Sequence, residues 1–198
     1  VIDLVDVMHE SASAIESVNT IVNEDGELHA YNTDYQAVAS LLRSSGFSHD
    51  FSVAVTGSGG MAKAVVAALR DSGFTNGTVI ARNTETGPAL AQAYGYRFSR
   101  EALPADVLVN VTPVGMAGGP DADASPYTDE QIHSASAVFD VVAMPSETPL
   151  ITAARTAGIP VVTGAEVIAL QAAEQFVLYT GVRPTDDQIR RASEFSRR

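Results

Sequence analysis

The chain has no cysteine, which excludes disulfides, thiolate metal sites and a cysteine nucleophile, and leaves any redox chemistry to a bound cofactor. Lysine is almost absent as well: Lys63 is the one lysine among 12 basic residues, set against 24 acids and a formal net charge of -12. That balance excludes a general nucleic-acid or anionic-membrane surface, since both need a basic footprint. No apolar run approaches the ~20 residues that cross a bilayer. The opening Val1-Ile2-Asp3-Leu4-Val5-Asp6 lacks the basic region of a signal peptide. A cytoplasmic chain with no membrane or nucleic-acid partner is the expectation. At 198 residues and 45% hydrophobic content it can bury one large core, or one core and a smaller piece.

What the chain does have is a glycine turn between a strand and a helix. Gly57-Ser58-Gly59-Gly60-Met61-Ala62 follows the apolar run Phe51 to Val55 and opens an alanine-rich amphipathic segment that ends near Gly73. A turn without Cβ atoms lets the backbone approach a pyrophosphate, and the free N–H groups of the next helical turn point at the anion. The pattern reads Gly57-x-Gly59-x-x-Ala62, with alanine for the third glycine. With the second apolar run Thr78-Val79-Ile80-Ala81 it completes a βαβ unit of about 30 residues.

Upstream, Val1 to Ile15 reads as a helix, and Val18 to Val22 with Glu27 to Tyr31 reads as a hairpin turning at Gly26. Asn32-Thr33 then caps a helix ending at Gly46. Further strands centre on Val53, Val79, Val107 to Val109, Val138 to Val141 and Val161-Val162, separated mostly by helix-length segments. This predicts an α/β fold: a Rossmann-type doubly wound parallel sheet covered on both faces. Thr148-Pro149 opens a helix that Gly158 and Pro160 close, Val167 to Tyr179 forms a long apolar helix, and Thr185 begins a charged one. Ala117 to Pro126 reads as a linker.

In dinucleotide folds the tip of the second strand discriminates the ribose: an acid selects the 2′-hydroxyl, an arginine the 2′-phosphate. Here it reads Ala81-Arg82-Asn83-Thr84, without an acid at the tip, so Arg82 favours NADP, with Asn83 or Thr84 adding a hydrogen bond. The four histidines His9, His29, His49 and His133 show no ligand spacing, and no metal is expected. Asp121 to Ser125 imitates a calcium loop but places Pro126 where glycine is required and Ile132 where a bidentate Glu belongs.

Several motifs in order, Asn19-Thr20, Asn32-Thr33-Asp34, Gly57 to Gly60, Ala81 to Thr84, Asn110-Val111-Thr112-Pro113-Val114-Gly115-Met116, Asp140, Thr148-Pro149-Leu150 and Gln171-Ala172-Ala173, resemble shikimate dehydrogenases. The resemblance covers essentially the whole chain and is greatest to the shikimate dehydrogenase-like branch. It implies reversible hydride transfer between NADPH and 3-dehydroshikimate, giving shikimate, with a homodimer compatible. It implies that Asp34 is the aspartate of a catalytic lysine and aspartate pair, and that Asn19 and Gln171 bind substrate hydroxyls. The lysine of that pair would fall just upstream of Val1. The expected organisation is therefore a partial N-terminal substrate domain (1–33), an NADP-binding domain (34–166) and C-terminal helices returning to the substrate domain (167–198).

For the cofactor the resemblance points to Gly57, Ser58, Gly59, Gly60, Met61 and Ala62 at the phosphates, Arg82, Asn83 and Thr84 at the ribose, and Asn110, Thr112, Gly115, Val141 and Gly164 near the nicotinamide. Some positions depart from the family: Ala143 stands where a substrate-contacting tyrosine is usual, Val141 and Val167 replace frequent methionines, and Glu166 replaces a glycine. Two other readings stay open: an NADP-binding module without turnover, and a quinate dehydrogenase using NAD.

Overall fold

In the computed structural model, which describes residues 1–196, the first fifteen residues are not one helix. A 3-10 turn at Ile2–Leu4 gives way to a short strand, β1 (Val7–Met8), and a single helical turn, α1 (Glu10–Ser13). The reason is an available strand edge. The hairpin strands β2 (Thr20–Glu24) and β3 (Glu27–Tyr31) pair antiparallel, and β1 adds in parallel to the other side of β3. Asp6 secures that join, its N–H donating to Leu28 O at 3.0 Å and its carboxylate accepting from Leu28 N–H at 2.8 Å. The hairpin turns at Asp25 and Gly26, both at positive φ (51° and 100°), as a two-residue loop matching strand twist requires.

α2 (Thr33–Ser45) leaves this small sheet. The Asn32 side chain accepts from Tyr35 N–H at 3.0 Å to cap its start, and Gly46, at φ 69°, ends it. Then come β4 (Val53–Thr56), α3 (Gly60–Asp71), β5 (Gly77–Ile80), α4 (Thr86–Ala93), β6 (Arg97–Ser99), β7 (Val107–Asn110), α5 (Asp129–Ser134), β8 (Ala137–Asp140), α6 (Pro149–Thr156), β9 (Val161–Thr163), α7 (Gly164–Thr180) and α8 (Asp186–Ser196). Six strands form one parallel sheet in the order β6-β5-β4-β7-β8-β9. β6 is an addition to the sequence reading: three residues at a sheet edge carry too little hydrophobic pattern to be recognised alone.

The sheet is doubly wound, and alternate side chains fill its two faces. Val53, Val55, Val107, Val109 and Phe139 pack toward α2, α3 and α7, while Ala54, Leu108 and Val138 pack toward α5 and α6 through Ile132, Leu150 and Ile151. All of these are at most 1% exposed, and burying each such valine, leucine, isoleucine or phenylalanine stabilises the fold by about 1.5–3 kcal/mol. The chain runs outward from β4 through β5 and β6, then crosses back to β7. That reversal leaves a crevice beyond the ends of β4 and β7, where ligands of such sheets bind.

The segment Ala117 to Pro126 is not a linker. Gly115 N–H donates to Asp121 O and Ala117 N–H to Met144 O, both at 2.9 Å, so the loop is bolted across the ends of β7 and β8. The next residue, Tyr127, is buried against the central strands β4 and β7. Its hydroxyl accepts from Thr56 Oγ1 at 2.8 Å and lies 2.8 and 3.0 Å from Ala54 O and Val109 O. Among the described residues no helix is long and apolar enough to cross a membrane.

Candidate functional site

The crevice is a cleft of about 620 Å³ whose floor is the glycine turn. Gly57 N–H donates to Ile80 O at 2.8 Å, and its φ of 128° suits glycine alone. A Cβ there would lie 2.7 Å from Val111 Cγ2, so Gly57 lets β4 and β7 close together. Gly59 and Gly60 differ: a Cβ at either meets no atom within 4 Å. They border open space where α3 begins, with no side chain capping its N–H groups and no acid in its first turn. Such a helix start attracts an anion. Ala62 is fully buried and Met61 packs against the core, so these two shape α3 rather than line the cleft.

One wall is the β5 exit. Ser58 Oγ is 2.8 Å from Thr86 Oγ1, and Asn83 Oδ1 accepts from Glu85 N–H and Thr86 N–H at 2.8 and 2.9 Å, which folds the loop so that Arg82 and Asn83 face the cleft. Thr84 is exposed beside them and does not line it. Arg100, which the sequence reading omitted, lines the same wall. The only sequence signal for it was recognising β6, because Arg100 follows that strand directly.

The opposite wall carries Val111, Thr112, Pro113 and Val114. Asn110 lies beneath it, fully buried. Its amide donates to Val114 O at 3.1 Å and to Asp140 Oδ1 at 3.0 Å, while its Oδ1 accepts from Thr112 N–H and Oγ1 at 3.0 and 2.6 Å. Asn110 therefore holds the wall rather than facing the cleft. Asp140 is also fully buried. Burial pushes its carboxyl above the usual range, while donors from Thr148, Val142 and Asn110 pull it back. Gly115, at φ 88°, packs against Thr148, and a side chain at Gly164 would collide with the Val141 and Val142 carbonyls. Val141 is half-buried at the start of that turn.

A second polar corner forms where the hairpin, α2 and α7 meet. Asn19 Oδ1 accepts three hydrogen bonds, from Thr20 Oγ1 (2.9 Å), Thr33 N–H (2.9 Å) and Thr33 Oγ1 (3.2 Å). With its oxygen so occupied, the Asn19 amide nitrogen turns to the Asp34 carboxylate. Burial raises the Asp34 carboxyl above its ordinary value, and the hydrogen bond from Asn19 offsets part of that. From α7, Gln175 Nε2 donates to Thr20 Oγ1 at 3.2 Å and ties that helix to the corner. Gln171, one turn earlier on α7, is half-buried and keeps its amide free among the described contacts. Sequence reasoning omitted Gln175, since one glutamine in a helix does not announce which strand it reaches.

No protein-family model matches the chain. It is 52% identical over 194 residues to a shikimate dehydrogenase-like protein of Haemophilus influenzae, covering 97% of this chain and 72% of that protein. The chain belongs to the shikimate dehydrogenase family. Among solved structures of the family, a shikimate 5-dehydrogenase-like protein superposes with a TM-score of 0.96 at 50% identity, over 99% of this chain and 74% of that one. The shikimate 5-dehydrogenase of Thermus thermophilus, solved in complex with NADP(H) and shikimate, gives a TM-score of 0.81 at 31% identity, over 96% and 72%. Two departures from the family's usual residues find local explanations here. Glu166 caps α7, its carboxylate accepting from Thr163 N–H and Oγ1, both at 2.7 Å. Val167 is 1% exposed and fills the core, where an apolar side chain is all that is needed. Nothing in the structure explains Ala143.

Proposed function

We propose that this chain carries the NADP site and part of the substrate site of an oxidoreductase that moves hydride reversibly between NADPH and 3-dehydroshikimate, giving shikimate. The observation that carries the reading is the switch-point cleft: an uncapped helix start, two glycines facing open space, and on the wall Arg82, without an ion pair among the described residues. Those residues fit a dinucleotide phosphate, and Arg82 fits a 2′-phosphate. NADP, when bound, supplies or accepts the hydride. The named relative of Thermus thermophilus, which was solved with both NADP(H) and shikimate, supports the same assignment.

Within this reading the α3 N–H groups beside Gly59 and Gly60 hold the pyrophosphate, and Thr112 and Val114 border the nicotinamide. Asn110, Gly115, Val141 and Gly164 keep that border in place from behind. Asn19, Asp34 and Gln171 bind and orient the polyol acid. Asp34 exchanges the proton of the reacting hydroxyl, and its raised carboxyl pKa moves it toward the pH at which proton exchange is efficient. Lys63, half-buried on α3, lies 3.9 Å from Glu16 and is outside the lining of the cleft. Residues 1–33 and 167–196 then form the substrate side and 34–166 the cofactor side, with the Gln175 to Thr20 hydrogen bond joining the two ends and residues 197–198 lying outside the described residues.

The test is NADP-linked shikimate oxidation by the full-length protein, followed by nicotinamide absorbance, beside NADP binding by titration. Asp34→Ala is expected to abolish turnover while binding persists. Turnover retained in that variant refutes the role of Asp34, and a wild type that binds NADP yet oxidises neither shikimate nor quinate reduces the protein to a dinucleotide-binding module.

A further inference from the structure

We infer that Arg100 is a second determinant of cofactor choice, forming with Arg82 a two-guanidinium clamp on the 2′-phosphate; this rests on the NADP reading above. The parallel pairing of β5 with β6 sets Ile80 opposite Ser99, and Ala81 N–H donates to Ser99 O at 3.1 Å. Arg82 and Arg100 therefore leave the ends of adjacent strands, on the same wall of the same cleft. The turn that carries Arg100 is pinned: Ser99 Oγ donates to Glu101 O at 2.8 Å and accepts from Glu101 N–H at 3.1 Å.

Both guanidinium groups are exposed, and among the described residues neither has an ion pair or a hydrogen bond. Among the other described arginines, Arg155, Arg183 and Arg190 are each matched to a carboxylate, whereas Arg43, Arg70, Arg97 and Arg191 are not. What sets Arg82 and Arg100 apart is place: in a chain of net charge -12, both line one wall of the same cleft. The charged residues lining the cleft are Arg82, Arg100 and Asp121, so its lining carries a net charge of 2 − 1 = +1. Remove Arg100 and the lining is neutral. A phosphomonoester carries about −1.5 to −2 charges at neutral pH, so Arg82 alone, opposed by Asp121, leaves it poorly compensated. Arg100 is what makes the cleft select a dianion. Planar guanidinium groups also suit phosphate oxygens in a way a point charge does not.

The experiment measures dissociation constants for NADP⁺ and NAD⁺, and for 2′-AMP against 5′-AMP, on the wild type, Arg100→Ala, Arg100→Lys, Arg82→Ala and the double alanine variant. Circular dichroism and a melting curve check the fold of each. Arg100→Ala is expected to weaken NADP⁺ and 2′-AMP by about tenfold to a hundredfold, as the loss of a charge-assisted hydrogen bond implies, while NAD⁺ and 5′-AMP change less than about twofold on the same argument. Arg100→Lys should recover part of the loss. A wild type with no preference for NADP⁺ over NAD⁺ overturns the NADP reading itself. A wild type that prefers NADP⁺, loses that preference in Arg82→Ala and keeps it in Arg100→Ala overturns the clamp and leaves the NADP reading standing.

Discussion

Gly57 and Gly59 sit two residues apart in one turn, and the structure assigns them different work. At Gly57 a methyl group meets Val111 Cγ2 at 2.7 Å and Val111 O at 3.0 Å, on a backbone whose φ is 128°. The conformation alone costs a non-glycine residue about 1–3 kcal/mol, and forcing β7 away costs about as much again. Gly57→Ala is therefore expected to lose about 2–6 kcal/mol of folding stability. That is a large share of the ~5–15 kcal/mol that holds a domain folded. Gly59 has φ −83° and open space around its Cβ position, so alanine there changes stability by less than about 1 kcal/mol. Its methyl would occupy the approach of the pyrophosphate, and NADP⁺ affinity should fall by about tenfold or more, about 1.4 kcal/mol. Urea unfolding read at constant slope gives the first quantity, and titration with NADP⁺ gives the second. A Gly57→Ala loss below about 1 kcal/mol would refute the close-approach argument. A Gly59→Ala protein with wild-type NADP⁺ affinity would refute the placement of the phosphates.

Further expectations follow from other residues. Tyr127→Phe removes a buried hydroxyl that accepts from Thr56 and reaches two strand carbonyls, and should cost about 1–3 kcal/mol in urea unfolding; a cost near zero would mean that water replaces the hydroxyl. Asp34 is raised by burial from an ordinary value of 3.8, so the folded state holds its proton more tightly than the unfolded chain. Stability from this group is full below 3.8 and falls as pH rises through the raised folded value. Asp34→Asn should accordingly gain stability over the wild type across that rise, and a difference in urea midpoint that does not grow with pH would contradict it. Asn110→Leu removes four hydrogen bonds at one buried site and should destabilise by several kcal/mol, on the order of 3–5, whereas an Asn110 acting only as a cofactor ligand would leave the unfolding midpoint unchanged.

The sequence by itself determined the elements whose signals are local. Asn32 and Gly46 bound α2, Thr148-Pro149 opens α6, Gly26 turns the hairpin, and valine-rich runs mark β4, β5, β7, β8 and β9, because caps, turns and buried strands are specified within a few residues of chain. The glycine turn and Arg82 were legible for the same reason. Tertiary structure decided what depends on a partner distant in sequence. Val7 and Met8 are a strand because β3 offers an edge twenty-two residues later, and the polar β6 exists because β5 does. The apparent linker at 117–126 is fastened by Met144 O and followed by the anchor Tyr127. Arg100, Gln175 and the buried brace at Asn110 have their roles from strand register and helix packing, which bring side chains tens of residues apart to one wall and leave no periodic trace in the chain.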